Sequence, residues 1–142
     1  DPNVVVSRAL AWIAEARWRG SKGSDPTPLL DLAERHIATL GRRTAEDMPQ
    51  EYLARIALER ARWLTRNGKP AASVAVDGLP RVKKALEARP GDPDLWVLEA
   101  QLEALGGNAP AARVSLERAW AINPLIRGGP GSHAAEALLA TR

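Results

Sequence analysis

The sequence predicts an all-α chain of antiparallel helix hairpins stacked side by side as an α-solenoid. Three observations carry this reading. Apolar residues recur at helical spacing along most of the chain, and no stretch alternates as a strand does. Breaks rich in Gly and Pro divide the chain into segments of hairpin length. The chain also repeats itself, because Ala16-Arg17-Trp18 returns as Ala61-Arg62-Trp63, an offset of 45 residues.

The elements follow in order. Val5, Ala9, Trp12, Ile13 and Ala16 fall on one face of a helix from about 4 to 19. Gly20 to Pro26 breaks it, and Asp25 or Thr27 caps the next helix with Pro28 in its first turn. That second helix carries a stripe of Leu30, Ala33, Ile37 and Leu40 and stops at Gly41. A third, from about Pro49 to Arg66, buries Leu53, Ile56, Ala57, Ala61 and Leu64, and Asn67-Gly68 closes it. Ala71 to Val76 reads as a short helix of its own. Gly78 and Pro80 break the segment, with Pro80 near the start of a helix ending around Arg89. Helices at about 94–105 and 109–122 flank Gly106-Gly107-Asn108. Gly128-Gly129-Pro130-Gly131 reads as a linker, after which Ser132 opens a short Ala-rich helix with His133 on its surface. The 142 residues thus make one domain, with hairpins at about 4–48, 49–92 and 93–124 and a capping segment at 125–142.

The echo extends across both helices of a hairpin. At the same offset Ala33 meets Gly78, Ile37 meets Val82, and Leu40 meets Ala85. Small residues return where two helices approach, and branched apolar residues return one turn later.

Trp96, Ala100, Gly107, Ala112, Leu116, Ala119 and Pro124 have the spacing of a tetratricopeptide repeat, a helical hairpin of about 34 residues. Glu99, Ala100, Glu103 and Leu116 depart from its pattern. The first two hairpins carry an extra stretch of about ten residues between their helices. In Ala16-Arg17-Trp18-Arg19-Gly20, in Asp25-Pro26, Pro28-Leu29, and in Ala85-Leu86-Glu87-Ala88-Arg89-Pro90, residues 5–124 resemble tetratricopeptide arrays of bacterial, myxobacterial-type serine/threonine kinases. The resemblance implies a right-handed solenoid of about three repeats plus a short C-terminal helix. It also implies a cytoplasmic C-terminal sensor or docking region whose first helices line a concave groove. On that registration Trp12 is the candidate anchor, and Arg8, Glu15, Arg60 and Gln101 share the groove with it. The Lys and Asn pattern with which some family members hold a partner's C-terminal carboxylate is not reproduced.

Composition narrows the function classes. The net charge of +3 divides into sixteen Lys/Arg against eleven Asp/Glu in residues 1–91, and four against six in residues 92–142. The basic residues are scattered over helical faces, which suits a solvated surface, so nucleic-acid binding by the basic N-terminal two-thirds is the alternative reading. Without cysteine there is no disulfide, thiolate site or cysteine nucleophile. No apolar run approaches the ~20 residues that cross a bilayer. The start lacks both Met and a basic leader, so the chain reads as a fragment of a longer one.

Catalytic signatures are missing. There is no Gly-rich ATP loop, HRD, DFG, P-loop or G-x-S-x-G. His36 and His133 lie far apart in sequence, without the close spacing of zinc ligands. Asp92, Asp94, Glu46 and Asp47 suit helix starts better than acid–base chemistry. The five tryptophans, with no Phe beside them, read as fillers between paired helices. The segment is therefore expected to be no enzyme, to need no cofactor or metal, and to bind a protein or peptide. Its open ends also allow a homodimer.

Overall fold

The computed structural model describes residues 2–40 and 47–140. They form α1 (Pro2–Ser21), α2 (Thr27–Ala38), α3 (Asp47–Arg66), α4 (Ala72–Ala88), α5 (Pro93–Leu105), α6 (Ala109–Ile122), a 3-10 turn (Pro124–Gly128) and α7 (Pro130–Ala140). No strand occurs among the described residues. The stop read at Gly41 and the acid Glu46 lie outside them. Consecutive helices pair as α1/α2, α3/α4 and α5/α6, while α3 also touches α1 and α2, and α5 also touches α3 and α4.

All three pairs turn the same way. Gly23, Gly68 and Gly107 have φ of 85°, 67° and 90°. The next N–H in each case, from Ser24, Lys69 and Asn108, donates back to the carbonyl of Arg19, Leu64 and Glu103 at 2.9 Å. This is the Schellman ending, and glycine enters its left-handed position without the clash a Cβ meets. α1 and α3 are both 20 residues long and stand in the same relation to their turn glycines.

The repeat is equally plain in the core. Ala9 and Ala54, Ile13 and Leu58, Ala16 and Ala61, Leu30 and Ala75, and Ile37 and Val82 are buried in step. The third pair continues the series. Aligning Gly107 with Gly68 puts Ala100 in the place of Ala61 and Val97 in that of Leu58, and both are buried. Aligning helix starts puts Ser115 where α4 has Gly78 and α2 has Ala33. Small side chains recur at that level, and at Gly78 a Cβ would stand 2.8 Å from that of Ala57 on α3. Leu30, Ile37, Ile56, Leu95, Leu98, Leu102 and Leu116 fill the space between layers at under 2% exposure. Each contributes about 2–3 kcal/mol relative to solvent.

Three sequence expectations change. The extra stretch in the first two hairpins is not an insertion between helices. Their loops, 22–26 and 67–71, are little longer than loop 106–108. The added length is helical, as α1 and α3 have 20 residues each against 13 in α5.

α4 runs unbroken through Gly78 and Pro80. Pro80 lacks the N–H that would reach Val76 and costs ~3 kcal/mol in a helix interior. Its ring is exposed, however, while Ala75, Gly78, Val82 and Ala85 form a buried stripe between α3 and α5. Burial along that stripe on both sides of the proline holds the helix together.

The segment read as a linker is folded. Its Gly128 ends the 3-10 turn, Pro130 begins α7, and Ser132 lies inside that helix at 0% exposure. Ser132 Oγ donates to the carbonyl of Ile126 at 2.7 Å and accepts from Trp120 Nε1 at 3.1 Å. His133 is exposed, as read. Ser132→Ala leaves the Trp120 N–H and the Ile126 carbonyl without this partner, and the expected loss is about 1–3 kcal/mol in urea denaturation. A loss within experimental error removes Ser132 as the tie between α6 and α7.

Candidate functional site

The Ala-Arg-Trp echo places Arg17 and Arg62 at the same level of α1 and α3. Gln101 takes the corresponding position on α5, and all three line one hollow together with Arg55, Asp94, Pro130 and Gly131. Arg17 and Arg62 also line a second, larger hollow of about 710 Å³, walled by α1, α3 and α7 and floored by the end of α5. The two hollows thus adjoin at Arg17 and Arg62. α7 closes them on one side because it packs mainly on α5 and only lightly on α6. The approach is close: a Cβ at Gly131 would sit 2.9 Å from Val97 Cγ1.

The electrostatics of the face are set by one buried acid. Glu59 is 3% exposed, and its Oε1 accepts from Arg17 Nε at 3.1 Å and Arg62 Nη1 at 3.3 Å. One carboxylate therefore serves two guanidinium groups. Burial pushes the Arg62 guanidinium below its usual range; Glu59 opposes that, and the charges of Arg17 and Arg66 add to it. Arg66 lines the larger hollow and makes no ion pair with a described residue. Arg55 is tied to Glu51 at 2.9 Å, and Glu51 also receives Arg89. Burial raises the Glu51 carboxyl, but these two cations more than offset it, so it is held below its ordinary value.

Of the five groove candidates, only Gln101 lines this face, and it is nearly buried. Trp12 turns toward its own hairpin, edge-on to His36 of α2 at 4.9 Å between ring centroids and 82° between planes. Trp96, at the equivalent place in α5, is covered likewise by Arg118 of α6 at 5.0 Å. Arg60 belongs to a different hollow between α2, α3 and α4, where it pairs with Asp31 at 2.8 Å and Glu34 at 2.9 Å. Glu15 is exposed and bridges to Arg19 on its own helix at 2.7 Å. Arg8 is exposed and lines none of these hollows. The helix midpoint chose Trp12, but each residue advances the facing direction by about a quarter turn or more. A helix placed at the right residues therefore still leaves open which of its side chains share a face.

The tryptophan that does open to solvent is Trp18, at 61% exposure, and it lines the larger hollow. Trp12, Trp63, Trp96 and Trp120 are all half-buried between elements. The signal for Trp18 in the sequence is the Ala-Arg-Trp echo itself, which marks repetition and does not distinguish a surface.

A second polar cluster lies inside the third hairpin. Glu99 and Glu103, two of the departures from the tetratricopeptide pattern, are 7% and 8% exposed. Ser115 Oγ is 2.5 Å from Glu103 and 3.4 Å from Glu99. One hydroxyl carries one proton, so it cannot donate to both carboxylates. A proton on Glu99 satisfies both contacts. Burial pushes both carboxyl groups up and the Glu103 charge adds to this at Glu99, while Ser115, Lys83 and Arg118 act the other way. Acids raised in the folded state contribute stability that is full below their ordinary value of 4.5 and lost as pH rises through the folded value. The lowered Glu51 acts in the opposite sense, with its contribution lost as pH falls below that ordinary value. Above that ordinary value the Glu99–Glu103 pair therefore sets the expected slope, with stability falling as pH rises through their raised folded values. The double substitution Glu99→Gln, Glu103→Gln should flatten that slope in paired denaturation curves. An unchanged slope removes the pair as its origin.

Among the described residues no group of three or more His, Asp or Glu is placed to hold a metal, and no helix is long and apolar enough to cross a membrane. Comparison with protein-family models, with curated proteins and with solved structures returns no match.

Proposed function

We propose that this chain is a protein-interaction module, a right-handed solenoid of three tetratricopeptide-type hairpins with α7 as its closing helix. The observation that carries the reading is the recurrence of Arg17, Arg62 and Gln101 at one level of three successive first helices, lining one hollow that adjoins a second. Repeated hairpins present equivalent positions in a row, which suits an extended partner held by a few anchors. The repeated turns and the in-step burial support the tetratricopeptide assignment.

Selection from a random peptide display library on the immobilised chain tests the reading. Enriched peptides should weaken about tenfold or more when Ala14→Glu or Ala137→Arg fills the hollow, since a blocked central contact removes much of a small interface's affinity. Both alanines are exposed and line it, so the fold tolerates the change. Failure to enrich any peptide, or peptides indifferent to both substitutions, overturns the assignment of this face.

The narrower reading makes the segment the cytoplasmic docking or sensor region of a bacterial serine/threonine kinase, with catalysis carried by another domain. It rests on the motif resemblance at Ala16 to Gly20, Asp25 to Leu29 and Ala85 to Pro90. Sequencing the gene upstream of the Asp1 codon tests it. HRD and DFG motifs there support the reading, and their absence overturns it.

A further inference from the structure

Resting on the interaction-module reading, we infer that the hollow between α1, α3 and α7 takes an acidic peptide segment of a partner protein, with a large apolar side chain set against Trp18 and carboxylates on Arg62 and Arg66.

The floor and the rim of the hollow differ in chemistry. Trp18, Leu105 and Leu138 supply apolar surface, and Arg17, Arg62 and Arg66 supply charge. Trp18 is the most exposed tryptophan of the five, and an indole stacked against a partner gains contact area at small entropic cost. Leu138 and Leu105 belong to α7 and α5, so an apolar side chain entering here touches three helices at once.

The charge is unbalanced in one direction. Three guanidinium groups line the hollow, and two of them, Arg17 and Arg62, share one carboxylate, Glu59, which is buried. It neutralises one charge without presenting an acid to solvent. The acid in the adjoining hollow is Asp94, which does not line this one. An incoming carboxylate meets planar donors that bind it by two parallel hydrogen bonds, and it relieves the repulsion among Arg17, Arg62 and Arg66. A cationic partner meets that repulsion instead. At about 710 Å³ the hollow has room for one large side chain and its neighbours, not for a folded domain.

Phosphate would also answer to arginine, but an isolated nucleic-acid backbone makes no use of an apolar floor shared by Leu105 and Leu138. Nucleic acid is therefore the competing outcome of the test.

The probe is a fluorescein-labelled decapeptide with a central leucine–tryptophan pair flanked by glutamates, titrated by anisotropy at low salt. The control carries lysines in place of the glutamates. Saturable binding of the acidic probe and none of the basic one is expected. Trp18→Ala and Arg66→Glu, both at exposed side chains, should each weaken it about tenfold with unchanged circular dichroism. Arg66→Lys should restore most of the affinity lost in Arg66→Glu. Equal binding of the two probes, no saturation by millimolar protein, or indifference to both substitutions overturns the inference. Tighter binding of a single-stranded oligouridylate, lost in the same variants, overturns it in favour of nucleic acid. If library-selected peptides still bind through this face while the acidic probe does not, the module stands and only its preference for acids falls.

Discussion

Gly78→Val is expected to lower the unfolding free energy by about 3 kcal/mol. Gly78 lies in α4 where three helices meet. A Cβ there would stand 2.8 Å from the Cβ of Ala57 on α3, and 3.2 and 3.3 Å from the two methyl carbons of Leu102 on α5. The first distance is below any ordinary carbon contact, and Ala57 Cβ is fixed to its backbone with no rotamer to retreat into. Gly78→Ala already meets the same obstruction, against a helix-propensity gain of about 1 kcal/mol. Valine adds two methyl groups to a site without room for one. The outcome is read from urea midpoints at constant slope, which keeps it distinct from a change in the denatured state. A loss under about 1 kcal/mol shows that α3 and α4 slide apart freely, contrary to interiors that transmit strain.

Leu102→Ala is expected to cost about 3–4 kcal/mol. Leu102 has 0% exposure and belongs to the largest core cluster, among Leu58, Ala75, Val82 and Leu98. Truncating it removes both methyl groups that face Gly78 and leaves a void bounded by α3 and α4. The two sites are thus coupled. Gly78→Ala combined with Leu102→Ala should be less damaging than the sum of the single changes by more than about 0.5 kcal/mol, because the added methyl group enters space that the leucine vacated. Strict additivity excludes the shared contact. This junction joins the second hairpin to the third, so either substitution should also loosen the face lined by Arg62 and Gln101.

The position of Gly78 illustrates how far a repeat can be read. Aligned on the 45-residue echo, Gly78 corresponds to Ala33, which marks it as a small residue at a helix crossing. The same glycine, taken with Pro80 by local propensity, reads as a helix break. The alignment was the better guide. Local propensity counts about 1 kcal/mol at a glycine and about 3 at a proline, while the crossing sums burial from three helices.

The C-terminal segment went unread for a related reason. A run of Gly and Pro carries no periodicity from which to infer packing. The tie from Trp120 through Ser132 to Ile126 joins residues whose relation is visible only once α7 has docked. Glu99 and Glu103 were legible as departures from a pattern. That they share one serine hydroxyl required knowing which way α6 faces α5.

The sequence by itself determined that the chain is all-α, where the turns at Gly23, Gly68 and Gly107 fall, and which residues recur as small or apolar from hairpin to hairpin. Those properties are local or periodic: a glycine free to take positive φ, a stripe every three or four residues, an echo at fixed offset. Only the tertiary structure decided which side chains share a surface. It turned Trp12 inward against His36, tied Arg60 to α2, and set Arg17, Arg62 and Gln101 in line. Periodicity fixes a residue's angle around its own helix, whereas a shared face also depends on the angles between helices, which arise from close approaches such as that of α3, α4 and α5 at Gly78.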